Sequence, residues 1–155
     1  MGESSTIRGI VCRRLKMKYN YVKAEINWGT PDRIRQHFPV AEYFDPCPFP
    51  KPHWDGLVIT WQGDCFINPP FSEMSKWANK SFSEWERDKS RKIVFLLPTD
   101  RLNRKYLQKW LPHSKLTLVT DTVHFTPLTG QKVNGGFHLP VCLLTLGDSG
   151  FDLVN

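Results

Sequence analysis

Cys65-Phe66-Ile67-Asn68-Pro69-Pro70-Phe71-Ser72 is the stretch from which both the fold and the chemistry are read. Cys65 to Ile67 is an apolar run that reads as the end of a buried strand, and two prolines then force the chain out of the sheet. Each proline bars the residue before it from helical backbone, so Asn68 and Pro69 are held extended and the corner is stiff. Such a corner aims the Asn68 amide oxygen and the Pro69 carbonyl at one point beyond the strand end, with the Phe71 ring beside them. Two fixed acceptors next to an aromatic plate suit an exocyclic amine on a flat ring, as on adenine. That amine is a poor nucleophile while its lone pair is conjugated, and acceptors drawing on its two hydrogens favour the pyramidal form that frees it. Phe71 would hold the base by stacking. A base inside a duplex would first have to be flipped out, at a cost of roughly a few kcal/mol of unstacking. The competing reading is a strand-ending turn in which Asn68 caps backbone groups and Phe71 is core.

The 155 residues, 40% hydrophobic and 13% aromatic, suit one domain with a real core, burying roughly two thirds of the unfolded surface. No apolar run approaches the ~20 residues of a membrane span, and no signal-peptide core opens the chain. A cytoplasmic, intracellular protein that does not engage membranes is expected. Cys12, Cys47, Cys65 and Cys142 lie far apart and form no C-x-x-C pair. Buried thiols in a reducing compartment, without disulfides or a metal, are therefore expected.

Charge is zoned. The net charge is +6, but residues 1–24 carry six basic residues against one acidic and residues 76–115 carry eleven against four. Between them, residues 25–75 carry three basic and seven acidic, and this acidic zone contains the Asn68 corner. Two basic zones around an acidic one fit a polyanion draped around a site that itself holds a cation. Solvated basic faces would give the same pattern.

Outward from the corner, Trp28-Gly29-Thr30-Pro31 reads as a helix start with Thr30 as N-cap, Ile34 and Phe38 facing inward and Pro39 ending it. Val40 to Phe44 reads as a strand running into Asp45-Pro46-Cys47-Pro48, which places an acidic residue at a strand's carboxyl end, where open α/β sheets bind ligands. Asp55-Gly56 reads as a turn and Leu57-Val58-Ile59 as a short strand. After Ser72 as N-cap, Met74, Trp77, Ala78, Phe82 and Trp85 fall at helical spacing, predicting an amphipathic helix over 73–88. Lys92 to Leu97 reads as a buried strand ended by Pro98. A second helix is expected from about Arg101, with Leu102, Tyr106 and Trp110 inward. Leu116–Thr120, His124-Phe125 and Leu139–Leu146 read as strands, residues 130–136 as a turn and residues 147–155 as a polar tail. Strands alternating with helices predict an α/β sheet with an antiparallel C-terminal pair. The divisions are a basic extension over 1–24, one domain over 25–147 and a tail over 148–155.

W-G-T-P at 28–31, F-D-P-C at 44–47, D-G-L at 55–57 with W-x-G at 61–63, I-N-P-P-F-S at 67–72 and F-L-L-P at 95–98 together resemble the phage-type DNA adenine-N6 methyltransferases. The likeness covers about residues 27–146, in the family's order. It implies an abbreviated Rossmann-like sheet, mostly parallel, with helices on its faces. It implies S-adenosyl-L-methionine as methyl donor and DNA as partner, either duplex with a flipped adenine or single-stranded. Asn68, Pro69, Pro70 and Phe71 would form the catalytic corner. Trp28, Thr30 and Pro31 resemble the segment that closes over the donor's methionine end, with the Thr30 hydroxyl and helix start meeting its carboxylate. Asp45, Pro46 and Cys47 would stand for the donor loop, and Asp55 for the acid at the adenosyl part. Arg13, Arg14 and Lys16, with Arg101, Arg104 and Lys105, would meet the nucleic-acid backbone.

The chain departs from the family at two places. No glycine-rich loop follows Asp45, and only nine residues separate it from Asp55, too few for the usual helix and ribose-binding strand. The basic residues after the Leu-Leu-Pro strand are only partly matched by Thr99, Asp100, Arg101 and Arg104. No separate target-recognition domain fits, so a weak or short sequence preference is expected. Asn-Pro-Pro-aromatic is shared by enzymes that methylate RNA adenine or glutamine side chains, and a non-catalytic basic binding module with a decayed donor site is the non-enzyme alternative. Oligomeric state is left open.

Overall fold

A computed structural model of the chain describes residues 28–127 and 137–155. In chain order its elements are β1 (Trp28–Gly29), α1 (Asp32–Arg35), β2 (Cys65–Ile67), α2 (Met74–Arg87), β3 (Ile93–Pro98), β4 (Ser114–Val119), β5 (Val123–Pro127), β6 (Phe137–Leu139), β7 (Val141–Leu146) and β8 (Gly150–Val154). The expected basic residues Arg13, Arg14 and Lys16, and the turn expected over 130–136, lie outside the described residues.

Five strands form one mixed sheet in the order β2-β3-β7-β4-β8. β2 pairs parallel with β3, β4 pairs parallel with β8, and β7 runs antiparallel between β3 and β4. Four strands thus point one way and β7 alone is reversed. Side chains alternate across the sheet with period 2, and the sequence fills both faces. Cys65, Ile67, Ile93, Phe95, Leu97, Leu144 and Leu146 meet Met74, Trp77, Ala78, Phe82 and Trp85 of α2 on one face. Phe66, Val94, Leu96, Val141 and Leu143 meet Ile34 of α1 and Val123, Phe125 and Leu139 on the other. Strands buried on both faces read as continuous apolar runs, which is why β3 and β7 are wholly buried. Each large side chain so buried contributes roughly 1.5–3 kcal/mol.

Among the described residues no long helix covers the second face. A three-stranded antiparallel sheet in the order β1-β5-β6, together with the single turn of α1, covers it. The run expected as one strand over 139–146 divides at Pro140, so that β6 belongs to the small sheet and β7 to the large one. Proline has no N–H to give a ladder, and here the Pro140 carbonyl instead accepts the Thr99 N–H at 3.1 Å.

Four further expectations are corrected. Residues 40–43 are a turn rather than a strand, because the Pro39 carbonyl collects the N–H groups of Glu42 and Tyr43; only Phe44 bridges to the sheet, parallel to Cys65. Residues 57–59 are likewise a turn, with Leu57 N–H on the Asp55 carboxylate and Val58 and Ile59 N–H on its carbonyl. Beyond Pro98 there are three short 3-10 turns, Thr99–Arg101, Lys105–Leu107 and Leu111–His113, in place of a second α-helix. Arg104 is extended there (φ −74°, ψ 141°), which breaks the helical ladder, yet Leu107 and Trp110 still bury completely. The tail is a strand: β8 lies along β4, with Phe151 beside Leu116 and Leu153 beside Leu118. Gly147 and Gly150 supply the left-handed backbone (φ 84° and 98°) that turns the chain back to the sheet edge.

Between α2 and the loop before β2 lies a buried ionic cluster. Glu84, 5% exposed, accepts Lys80 Nζ at 2.7 Å, Arg87 Nη2 at 2.8 Å and the Trp61 N–H at 3.1 Å. Arg91 donates Nη1 to the Trp61 carbonyl at 2.9 Å and Nη2 to the Glu84 carbonyl. This network clamps Trp61 to α2, and Trp61 in turn donates Nε1 to the Gly56 carbonyl at 2.7 Å.

Candidate active site

The parallel pairing of β2 and β3, with the isolated Phe44 bridge to Cys65, brings two strand ends and one bridge residue to one edge of the sheet. Asp45, Asn68 and Thr99 follow them directly. Asn68 and Phe66 are two residues apart and so share a face, and that face carries α1 and the small sheet. There Asn68 Nδ2 donates to Thr30 Oγ1 at 3.1 Å, which fixes the rotation of the amide. The corner itself is extended as the prolines require, with Pro70 at φ −57° and ψ 129°. Phe71 begins a 3-10 turn, Phe71–Glu73, that leads into α2. Its half-buried ring stands at 86° to the buried Phe125, 6.1 Å between centroids. Phe71 also touches both apolar cores, so it is both a core neighbour and part of the site's wall.

The segment 28–31 reaches this edge through β1, whose Trp28 and Gly29 pair with Pro127 and Thr126 of β5. Two cap expectations fail here. Thr30 does not cap α1, which starts at Asp32 with Pro31 at the cap position and no side-chain cap bond; its hydroxyl is engaged by Asn68 instead. Ser72 does not cap α2, because it lies inside the 3-10 turn and the helix starts at Met74.

The expected donor loop is compact. Asp45 accepts the Cys47 N–H at 2.9 Å. Burial raises the Asp45 pKa above its usual carboxylate value, against the Cys47 N–H and the Arg35 charge, which lower it. Burial, and then the carboxylates of Asp45, Glu73 and Asp55, push the Cys47 thiol up to about 12. Cys47 is therefore an un-ionised thiol in a negative neighbourhood, and that neighbourhood would favour a cation. Asp55 is exposed and holds the turn after it through Leu57 N–H at 2.9 Å. The turn packs directly on the loop: a Cβ on Gly56 would stand 1.8 Å from the Pro46 carbonyl oxygen and 3.0 Å from Trp77 Cη2. Gly56→Ala should therefore cost about 1–3 kcal/mol and weaken ligand binding at Asp45; unchanged denaturant midpoints would show that the two turns do not press together.

Arg101, Arg104 and Lys105 follow the carboxyl end of β3, one strand from Asn68. Arg104 and Lys105 are exposed, whereas Arg101 is half-buried with Nε 3.7 Å from the Asp100 carboxylate. Arg35 is a site residue that the sequence does not single out. Its guanidinium lies over the Phe66 ring, 5.1 Å from the centroid, and its Nη1 is buried without a hydrogen-bond partner among the described residues. Only its place beside Ile34 on the predicted helix points to it.

Among the described residues no group of three or more His, Cys, Asp or Glu could hold a metal ion, and no helix is long and apolar enough to cross a membrane. Cys47, Cys65 and Cys142 are free thiols. No protein-family model, curated protein or solved structure matches the chain significantly.

Proposed function

We propose that this chain transfers a methyl group from S-adenosyl-L-methionine to the N6 amine of adenine in DNA, on an abbreviated Rossmann-like sheet. The observation that carries the reading is the meeting of Asn68, Thr30, Phe71 and Asp45 at the carboxyl ends of parallel strands, where α/β folds bind ligands. The residues fit the donor. Asp45, Asp55 and Glu73, against Lys51, act on Cys47 with negative charge that suits a sulfonium, and Arg35 has a buried nitrogen in need of an acceptor. Thr30, Pro31, Asp45, Pro46, Cys47 and Asp55 would hold it, with the Trp28 segment closing over them.

When bound, the donor supplies an electrophilic methyl: its S–CH3 bond breaks as the N–CH3 bond forms, and the amine's proton leaves to water. The protein's part is positioning. Asn68 and Pro69 offer oxygens to the amine's hydrogens, and Thr30 holds the Asn68 amide in one orientation. Phe71, braced by Phe125, stacks on the flipped base. No residue need act as a strong base. Holding two reactants in line can supply ~7–11 kcal/mol.

The acceptor class is tested by offering labelled donor with duplex DNA, single-stranded DNA, RNA and total protein. Label in DNA alone supports the reading. Label in RNA or in glutamine would keep the chemistry and change the substrate, and label in none, with DNA still bound, would favour the non-catalytic module. The role of the basic turns has its own test. Arg104→Ala with Lys105→Ala should weaken DNA binding equally across sequences and lower the salt slope by ~0.9 for each phosphate that is no longer neutralised. An unchanged slope would take the DNA off that edge.

A further inference from the structure

Resting on the methyltransferase reading, we infer that Arg35 receives the carboxylate of the donor's amino-acid end while Asp45 faces its ammonium. The segment 46–48 that follows Asp45 has no backbone donor to spare. Pro46 and Pro48 lack an N–H, and that of Cys47 is committed to Asp45 Oδ1 at 2.9 Å. An anion held here therefore needs a side-chain donor, and the absence of a glycine-rich loop makes that need particular to this chain. Arg35 is the guanidinium at hand. It is laid on Phe66, 5.1 Å from the ring centroid, so its plane is set before any ligand arrives. Its Nη1 is enclosed and unpaired among the described residues, and a buried donor left unsatisfied is costly until an acceptor reaches it. A carboxylate is the acceptor that matches a guanidinium fork.

An opposite charge is within electrostatic reach. Arg35 and Asp45 act on one another electrostatically, but the ion pairs of the described residues do not include one between them. Opposite charges held apart suit the two ends of a zwitterion better than they suit each other.

Calorimetry on the full chain tests this with the intact donor and three relatives of it. S-adenosylhomocysteine carries the amino-acid end, methylthioadenosine lacks it, and decarboxylated S-adenosylmethionine lacks only the carboxylate. Arg35→Met should lower affinity for S-adenosylhomocysteine about 10- to 100-fold and leave methylthioadenosine unchanged, and Arg35→Lys should recover part of the loss. The wild-type chain should bind decarboxylated S-adenosylmethionine weaker than the intact donor by a similar factor. Equal affinity of Arg35→Met and wild type for S-adenosylhomocysteine would overturn the inference. So would equal wild-type affinity for the donor with and without its carboxylate, a comparison that holds even if the variant fails to fold. A wild-type chain that binds none of these ligands would instead remove the methyltransferase reading itself.

Discussion

Asn68→Ala should reduce methyl transfer by at least about 10²–10³-fold, the usual cost of deleting one preorganised polar group at a reacting centre, while donor affinity changes little. The amide is a good candidate for so large an effect because it is held from both sides. The extended backbone that Pro69 imposes sets where it emerges, and Nδ2 on Thr30 Oγ1 at 3.1 Å sets how it is turned. In the proposed reading, truncation would remove an oxygen meant for the amine, while the donor would be held elsewhere, on Asp45 and the residues packed on it. Single-turnover rates with saturating donor and DNA, beside calorimetry with S-adenosylhomocysteine, separate the two. Thr30→Val should have a smaller effect in the same direction, since it removes one contact that orients the amide without removing the amide. A native rate in Asn68→Ala would mean that the amine binds somewhere else.

Glu84→Gln should destabilise the fold by about 3 kcal/mol, within the range for breaking a buried ionic cluster. Burial by itself would raise the pKa of Glu84, but Lys80, Arg87 and the Trp61 N–H outweigh it and hold the carboxyl at about 2 against an ordinary 4.5. A carboxyl depressed on folding stabilises the protein at every pH above its ordinary value. That contribution, about 3 kcal/mol for such a shift, is lost as pH falls from about 4.5 toward about 2. Denaturant midpoints should therefore fall over that window in wild type and much less in Glu84→Gln. At neutral pH the variant leaves Arg91, with a side chain only 6% exposed, only the half-exposed Asp88 carboxylate, 3.8 Å away, as counter-charge. The melting temperature should fall by roughly 10 °C. Because Glu84 also holds Trp61, and Trp61 holds Gly56 against the Asp45 loop, donor affinity should fall too if that loop binds the donor as proposed. Equal midpoints for the two proteins at neutral pH would show that the cluster contributes nothing net.

Asn68 and Glu84 differ in how visible they are in the sequence. β2, β3 and α2 are legible because a run buried on both faces and a stripe at helical spacing are strong patterns, and the prolines after Ile67 give the corner its backbone without reference to anything distant. Asn68 and Phe71 stand out for that reason. Glu84 does not, although Lys80 and Arg87 stand at the right spacing on its helix: only the arrival of Trp61 from 23 residues away makes that side of α2 interior. The same limit hides Arg35, whose meaning depends on Phe66 and Asp45 being neighbours.

Elsewhere local propensity loses to hydrogen bonds that the sequence does not advertise. Val40 to Tyr43 has strand-like composition, but the Pro39 carbonyl winds it into a turn and leaves Val40 76% exposed. Leu102, Tyr106 and Trp110 have helical spacing and do face the core, yet short turns deliver them there. Phe151-Asp152-Leu153 alternates as a strand should, but the run is short and follows two glycines, which makes a polar tail the simpler expectation. Pro140 inside an apolar run is the visible sign that one strand serves two sheets.

The reaction product is the decisive observable. With methyl-deuterated S-adenosylmethionine, adenine-containing DNA and the wild-type chain, digestion to nucleosides and mass spectrometry should reveal N6-methyldeoxyadenosine bearing the deuterated methyl, and Asn68→Ala should leave it at background. DNA that acquires no deuterated methyl at saturating donor, or acquires it on a base other than adenine, would contradict methyl transfer at the Asn68 corner.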